Sequence, residues 1–140
     1  MQAVFDETLY NIELTACLHI LNKHNKKYNI AIKYLTPIEF FLEVYKIDAD
    51  NKCYNKNIKL YSFDDFKERF TNKDNTDDIQ RCNSIKEAII HKKLLPIPFL
   101  NYTNFGLNVD GCHRMWVCYS LFGDTQTFPI LTITKETFNG

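Results

Sequence analysis

The chain has 140 residues, the size of one domain, and a chain of this length buries about two-thirds of its unfolded surface without disulfides or a structural metal. Apolar residues are 45% and charged residues 24%, with four Gly and four Pro, which excludes collagenous, linker-like and intrinsically disordered classes. Seventeen Lys plus Arg balance seventeen Asp plus Glu, so the chain lacks the cationic excess that coats DNA or an anionic membrane, although a small anion held by one or two arginines remains open.

No run of 18 apolar residues suggests a transmembrane helix, and the opening Met-Gln-Ala-Val-Phe-Asp-Glu lacks the basic-then-apolar order of a secretory signal. Five cysteines (Cys17, Cys53, Cys82, Cys112, Cys118) form no C-x-x-C pair. The odd number suits reduced thiols and a cytoplasmic address better than a disulfide framework, and zinc is not expected.

In chain order, Leu9, Ile12, Leu14, Ala16, Leu18, Ile20 and Leu21 predict a helix over 7–24, capped by Asp6. Within it His19, like His24 at its end, reads as a surface residue. A polar turn over 25–28 leads to a strand over 30–34, where Ile30, Ile32 and Tyr34 alternate with Ala31 and Lys33. Thr36-Pro37-Ile38-Glu39 has the form of a helix opening, with Thr36 as cap, Pro37 in the first turn and Glu39 three residues on. A short helix over 40–45 follows, then a loop over 48–57 and a short strand over 58–61. Ser62-Phe63-Asp64-Asp65 starts a capped helix running to about Phe70. The polar stretch 71–78 reads as the most mobile loop.

The second half carries the chemistry. A helix is expected over 78–91, with Ile79, Cys82, Ile85 and Ile89 in register. Its His91-Lys92-Lys93 end suits a helix C-terminus. An apolar strand over 94–100 is marked by Pro96 and Pro98 as an edge or a strand start. A turn over 101–104 and a strand over 105–109 lead into the corner Asp110-Gly111-Cys112-His113-Arg114. The helix beyond it carries Met115, Val117, Cys118, Leu121 and Phe122 and ends at Gly123 as a left-handed cap. A last strand, 128–133, enters through Pro129. Trp116, Cys17, Cys82 and Cys118 are expected in the core, and Cys53 is expected to be exposed.

The corner favours an anion. A helix start presents unpaired N–H groups and about half a positive charge. Gly111 has no Cβ to hold a ligand off, Arg114 offers a bidentate fork, and His113 adds a donor. The same field is expected to draw the Cys112 thiol toward thiolate and make it a nucleophile.

Val-Asp-Gly-Cys-His-Arg between strand and helix resembles the ParB/sulfiredoxin superfamily. So does the preceding order of a helix with Ser84-Ile85 and a strand with Pro96-Ile97-Pro98. The resemblance covers about the last sixty residues, with a fainter echo at Ile30–Pro37. It implies an α+β fold, a small mixed sheet with helices around it, in which 77–140 is the core and 1–76 an N-terminal extension of one domain. It also implies that Gly111, Cys112, His113 and Arg114, with Arg81 and Ser84 on the earlier helix, hold the phosphates of ATP or CTP with Mg²⁺. Asp110 or Glu87 would serve as acid, base or metal ligand. Gly-Cys-His-Arg is most like sulfiredoxin, where the thiol is catalytic. Ala88 and Asp110, however, replace that family's usual Thr and second Gly, and Asp110-Gly111-x-His113-Arg114 is the form common in ParB-like proteins of phages and mobile elements.

Three readings follow. The first is a nucleotide-binding domain that hydrolyses or transfers the terminal phosphoryl group. The second is an ATP-dependent cysteine sulfinic acid reductase using Cys112. The third is a non-enzymatic module for a protein partner. A nuclease, on a face with Lys86, His91, Lys92 and Lys93, is a minor fourth. With about twenty residues beyond the corner helix, the chain by itself is not expected to read a DNA sequence.

Overall fold

The computed structural model describes residues 5–11, 28–53, 55–103 and 107–135. The local chemistry of helix starts sets much of the architecture. Helix α1 (Pro37–Lys52) opens on Thr36, whose side chain accepts from the Glu39 N–H while Glu39 accepts from the Thr36 N–H. Helix α2 (Phe63–Thr71) opens on the same reciprocal pair between Ser62 and Asp65. Helix α3 (Thr76–Ile90) starts after Asn75, and α4 (Cys112–Phe122) after Gly111.

Strands β1 (Tyr10–Asn11) and β3 (Leu95–Pro96) form a small parallel pair. Strands β2 (Tyr28–Leu35), β4 (Phe99–Asn101), β5 (Val109–Asp110) and β6 (Phe128–Lys135) form a mixed sheet in the order β2-β6-β4-β5. β6 runs antiparallel to β2 over eight residue pairs and parallel to β4. Helix α4 is the crossover from β5 to β6, and it packs against α1, α2 and α3. Met115, Trp116, Val117 and Cys118 are accordingly all buried. The α+β fold with a small mixed sheet and helices packed around it is as expected.

Several local expectations change. The segment 7–11 is a 3-10 turn (Glu7–Leu9) followed by β1, not the start of a helix. Leu9 and Tyr10 are buried with Phe5, and pairing with β3 outweighs the helical spacing. Asp6 does cap, but it caps this turn, through Thr8. The rest of that expected helix, with Cys17, His19 and His24, lies outside the described residues, as do 25–27 of the expected turn.

Helix α1 runs to Lys52, through much of the expected loop, because Val44 and Ile47 continue the buried stripe begun by Phe40 and Phe41. Residues 58–61 are not a strand. Tyr61 packs on Phe66 at 5.6 Å between ring centroids, the staple that fixes the entry into α2. Half of the stretch 71–78 is helical, since α2 ends at Thr71 and α3 begins at Thr76. The four residues between are tied by Asn75 N–H to Asn72 O and by Asn75 Nδ2 to Arg69 O. The strand expected over 94–100 is broken into β3 and β4 at Ile97-Pro98. Of the strand expected over 105–109, only Val109 lies in β5, although Asn108 O already accepts from the Asn101 N–H, and 104–106 lie outside the described residues. Gly123 ends α4 with φ +75° and ψ −160°, a glycine conformation outside the left-handed helical well.

Candidate functional site

The corner is built where β5 hands over to α4. Gly111 has φ +109°, and a Cβ placed on it would sit 2.5 Å from the Pro98 Cβ and 2.9 Å from the Pro98 Cα. Glycine is therefore dictated by the backbone angle and by the close approach of Pro98, the residue just before β4. The side on which a ligand was expected to approach Gly111 is taken by Pro98. No side chain caps α4, and its first intrahelical bond runs from Met115 N–H to Gly111 O at 2.8 Å.

His113 faces α3 and lies against the Phe70 ring at 4.9 Å. That ring belongs to an aromatic column running through Phe41, Phe66, Phe70 and Trp116. Its Nε2 lies 2.8 Å from Asp78 Oδ1, and Asp78 takes both Arg69 Nε at 3.0 Å and Arg69 Nη2 at 3.2 Å. One carboxylate thus joins the first turn of α4, the first turn of α3 and the last turn of α2. Arg69, then burial in opposition, then His113 set the Asp78 carboxyl, and the net effect lowers its pKa. Burial lowers the His113 pKa despite Asp78, so the imidazole is neutral at pH 7 and donates its N–H to the carboxylate. Sequence reasoning missed Arg69 and the role of Asp78. An arginine in a last turn and an aspartate in a first turn also suit their helix dipoles, so the pattern carried no distinctive signal.

Arg114 turns the other way. Its side chain is 13% exposed, and Nη2 lies 3.1 Å from Asp110 Oδ2, within ion-pair distance but without hydrogen-bonding alignment. Nε and Nη2, the edge that grips a carboxylate or phosphate, are both buried and have no hydrogen-bond partner among the described residues. The Arg114 charge also reaches Tyr10 and Cys118, whose hydroxyl and thiol lie 3.2 Å apart.

Cys112 departs from expectation. Burial pushes its thiol up to about 12, and the nearby Arg69 and Arg114 do not offset that. It is a protonated thiol at neutral pH, not a thiolate. Arg81 and Ser84 are exposed on one face of α3, and the Arg81 charge is felt at His113. Glu87 is exposed, pairs with His91 at 3.1 Å and stands nine residues from Asp78, about 13 Å along the helix, so it does not join the corner. Cys118 and Trp116 are core residues and Cys53 is exposed, as expected. Cys82 is half-buried, with its thiol pushed up to about 11 by burial.

Among the described residues, no three His, Cys, Asp or Glu side chains converge on a metal site. A concavity of about 200 Å³ between α3 and α4 is lined by Phe70, Cys82, Asn83, Lys86, Trp116 and Ser120, not by the corner residues. No described helix is long and apolar enough to cross a membrane. Comparison with protein-family models, curated proteins and solved structures finds no match.

Proposed function

We propose that the Asp110–Arg114 corner binds the phosphate groups of a nucleotide, ATP or CTP, in a ParB-like domain. The observation that carries this reading is the buried Nε–Nη2 edge of Arg114, unpartnered in hydrogen bonding, beside a helix start that no side chain caps. Asp110 offsets the charge, but buried N–H groups without a hydrogen-bond partner are costly, and a phosphate oxygen would satisfy them. The first-turn N–H groups of α4 would share the anion, and Arg81 would add charge from α3. His113, held by Asp78, positions the helix start rather than gripping phosphate. Mg²⁺ would arrive on the nucleotide's own phosphates, with Asp110 the carboxylate at hand.

Hydrolysis or transfer of the terminal phosphoryl group is the reaction this reading implies. The chain's part would be positioning and charge stabilisation. The sulfinic acid reductase is the weaker alternative, since it needs a Cys112 thiolate and burial opposes one.

Calorimetric titration of ATP and of CTP, each with Mg²⁺, tests the proposal on the wild-type chain, Arg114→Gln and Arg81→Ala. Saturable binding is expected, lost in Arg114→Gln and weakened in Arg81→Ala. Unfolding curves of the variants would separate lost binding from lost fold. No heat from either nucleotide up to about millimolar, where even a free energy near −4 kcal/mol registers, overturns it.

A further inference from the structure

Strand β2 ends the mixed sheet, and among the described residues nothing pairs its outer edge. Its register with β6 is unbroken over all eight pairs, so no bulge bends it away, and it contains neither Pro nor Gly. Lys33 is its one charged residue. An edge this long and this lightly guarded is a template for another strand.

One face of the strand is also apolar and open. Ile30 is 46%, Ile32 41% and Tyr34 50% exposed, while Ile133 and Leu131, opposite Ile30 and Ile32 on β6, are buried. The apolar sheet face is thus covered at β6 and uncovered at β2. The Tyr34 hydroxyl, at one end of the patch, donates to Glu7 at 3.2 Å.

The sequence of β2 names the occupant. Tyr28-Asn29-Ile30-Ala31-Ile32-Lys33-Tyr34 reads almost the same in both directions about Ala31. A two-fold axis through Ala31 therefore places Tyr28 opposite Tyr34, Ile30 opposite Ile32, and Ala31 opposite itself. The face order is preserved, because each pair differs by an even number of residues. Lys33 meets the neutral Asn29 and not another cation. Such like-with-like aromatic and β-branched pairs are favourable cross-strand neighbours, and a net charge of zero adds no general repulsion between copies.

We propose that β2 pairs antiparallel with β2 of a second copy of this chain, joining two four-stranded sheets into one continuous sheet. The contact is isologous and closes at two copies. It stands apart from the phosphate site and does not depend on it.

Sedimentation equilibrium of the full chain from about 5 to 500 µM tests this, with Asn29→Glu, Asn29→Lys and Ile32→Lys measured alongside. The wild type is expected to pass from monomer to dimer across that range. Asn29→Glu creates two symmetry-related pairs with Lys33 of the other copy and should tighten the dimer about two- to thirty-fold. Asn29→Lys should loosen it by a similar factor. Ile32→Lys should leave a folded monomer by circular dichroism. All three substitutions are at exposed positions. A wild type monomeric throughout, species larger than two, or a dimer indifferent to the charge placed at position 29 each overturns the proposal.

Discussion

Replacing Gly111 by Ala tests the account of the corner most directly. Two separable penalties meet there. Alanine at φ +109° leaves the region open to L-residues, which costs about 1–2 kcal/mol. The new methyl would also stand 2.5 Å from the Pro98 Cβ and 2.9 Å from its Cα, and ring and backbone cannot swing aside as a flexible side chain would. Forcing β4 and α4 apart to admit it adds about 1–3 kcal/mol, as other overpacking does. The total is about 2–5 kcal/mol.

With an unfolding entropy near 2.1 cal/mol/K per residue over 140 residues, each kcal/mol lowers Tm by about 3 °C, so a fall of about 7–17 °C is expected. Gly123→Ala is the internal control. It has positive φ, at +75°, but nothing within 4 Å of the added carbon, so it should show the backbone penalty alone. Thermal and urea unfolding of both variants, with the urea m-value unchanged, would give the two numbers. If Gly111→Ala were within about 0.5 kcal/mol of wild type, the close approach to Pro98 would not be what requires glycine.

Two further outcomes follow from the groups around the corner. Because burial holds the folded His113 pKa below its unfolded value, the unfolded chain binds the proton more readily, and stability should fall as pH drops through about 6.5. The lowered Asp78 pKa adds a second loss in the same direction at lower pH, in the carboxylate range. Urea midpoints from pH 8 to 5 should show the first decline in wild type and a flatter curve in His113→Gln. Equal slopes would refute it. The second outcome concerns the thiols: with Cys112 held up to about 12 and Cys53 exposed, iodoacetamide at pH 7.5 should label Cys53 well before Cys112, read by peptide mass spectrometry. Labelling of Cys112 as fast as Cys53 would restore the nucleophile.

What the sequence by itself determined is mostly local. Thr36 with Pro37 and Glu39, Ser62 with Asp65, and the glycines bounding α4 mark helix ends through hydrogen bonds and backbone angles spanning a few residues, and those ends stand where they were expected. The alternation in β2 and the apolar run of β6 likewise fixed strands whose pleat is written every second residue. Tertiary structure decided whatever depends on a distant partner. Leu9 and Tyr10 leave a helical pattern because β3 offers a strand to pair with. The Cys112 thiol is raised because burial, which no spacing records, outweighs the field of a helix start. Asp78 meets Arg69 and His113 only because α2, α3 and α4 converge, and which side chains of other helices a carboxylate bonds is settled by packing rather than by sequence order.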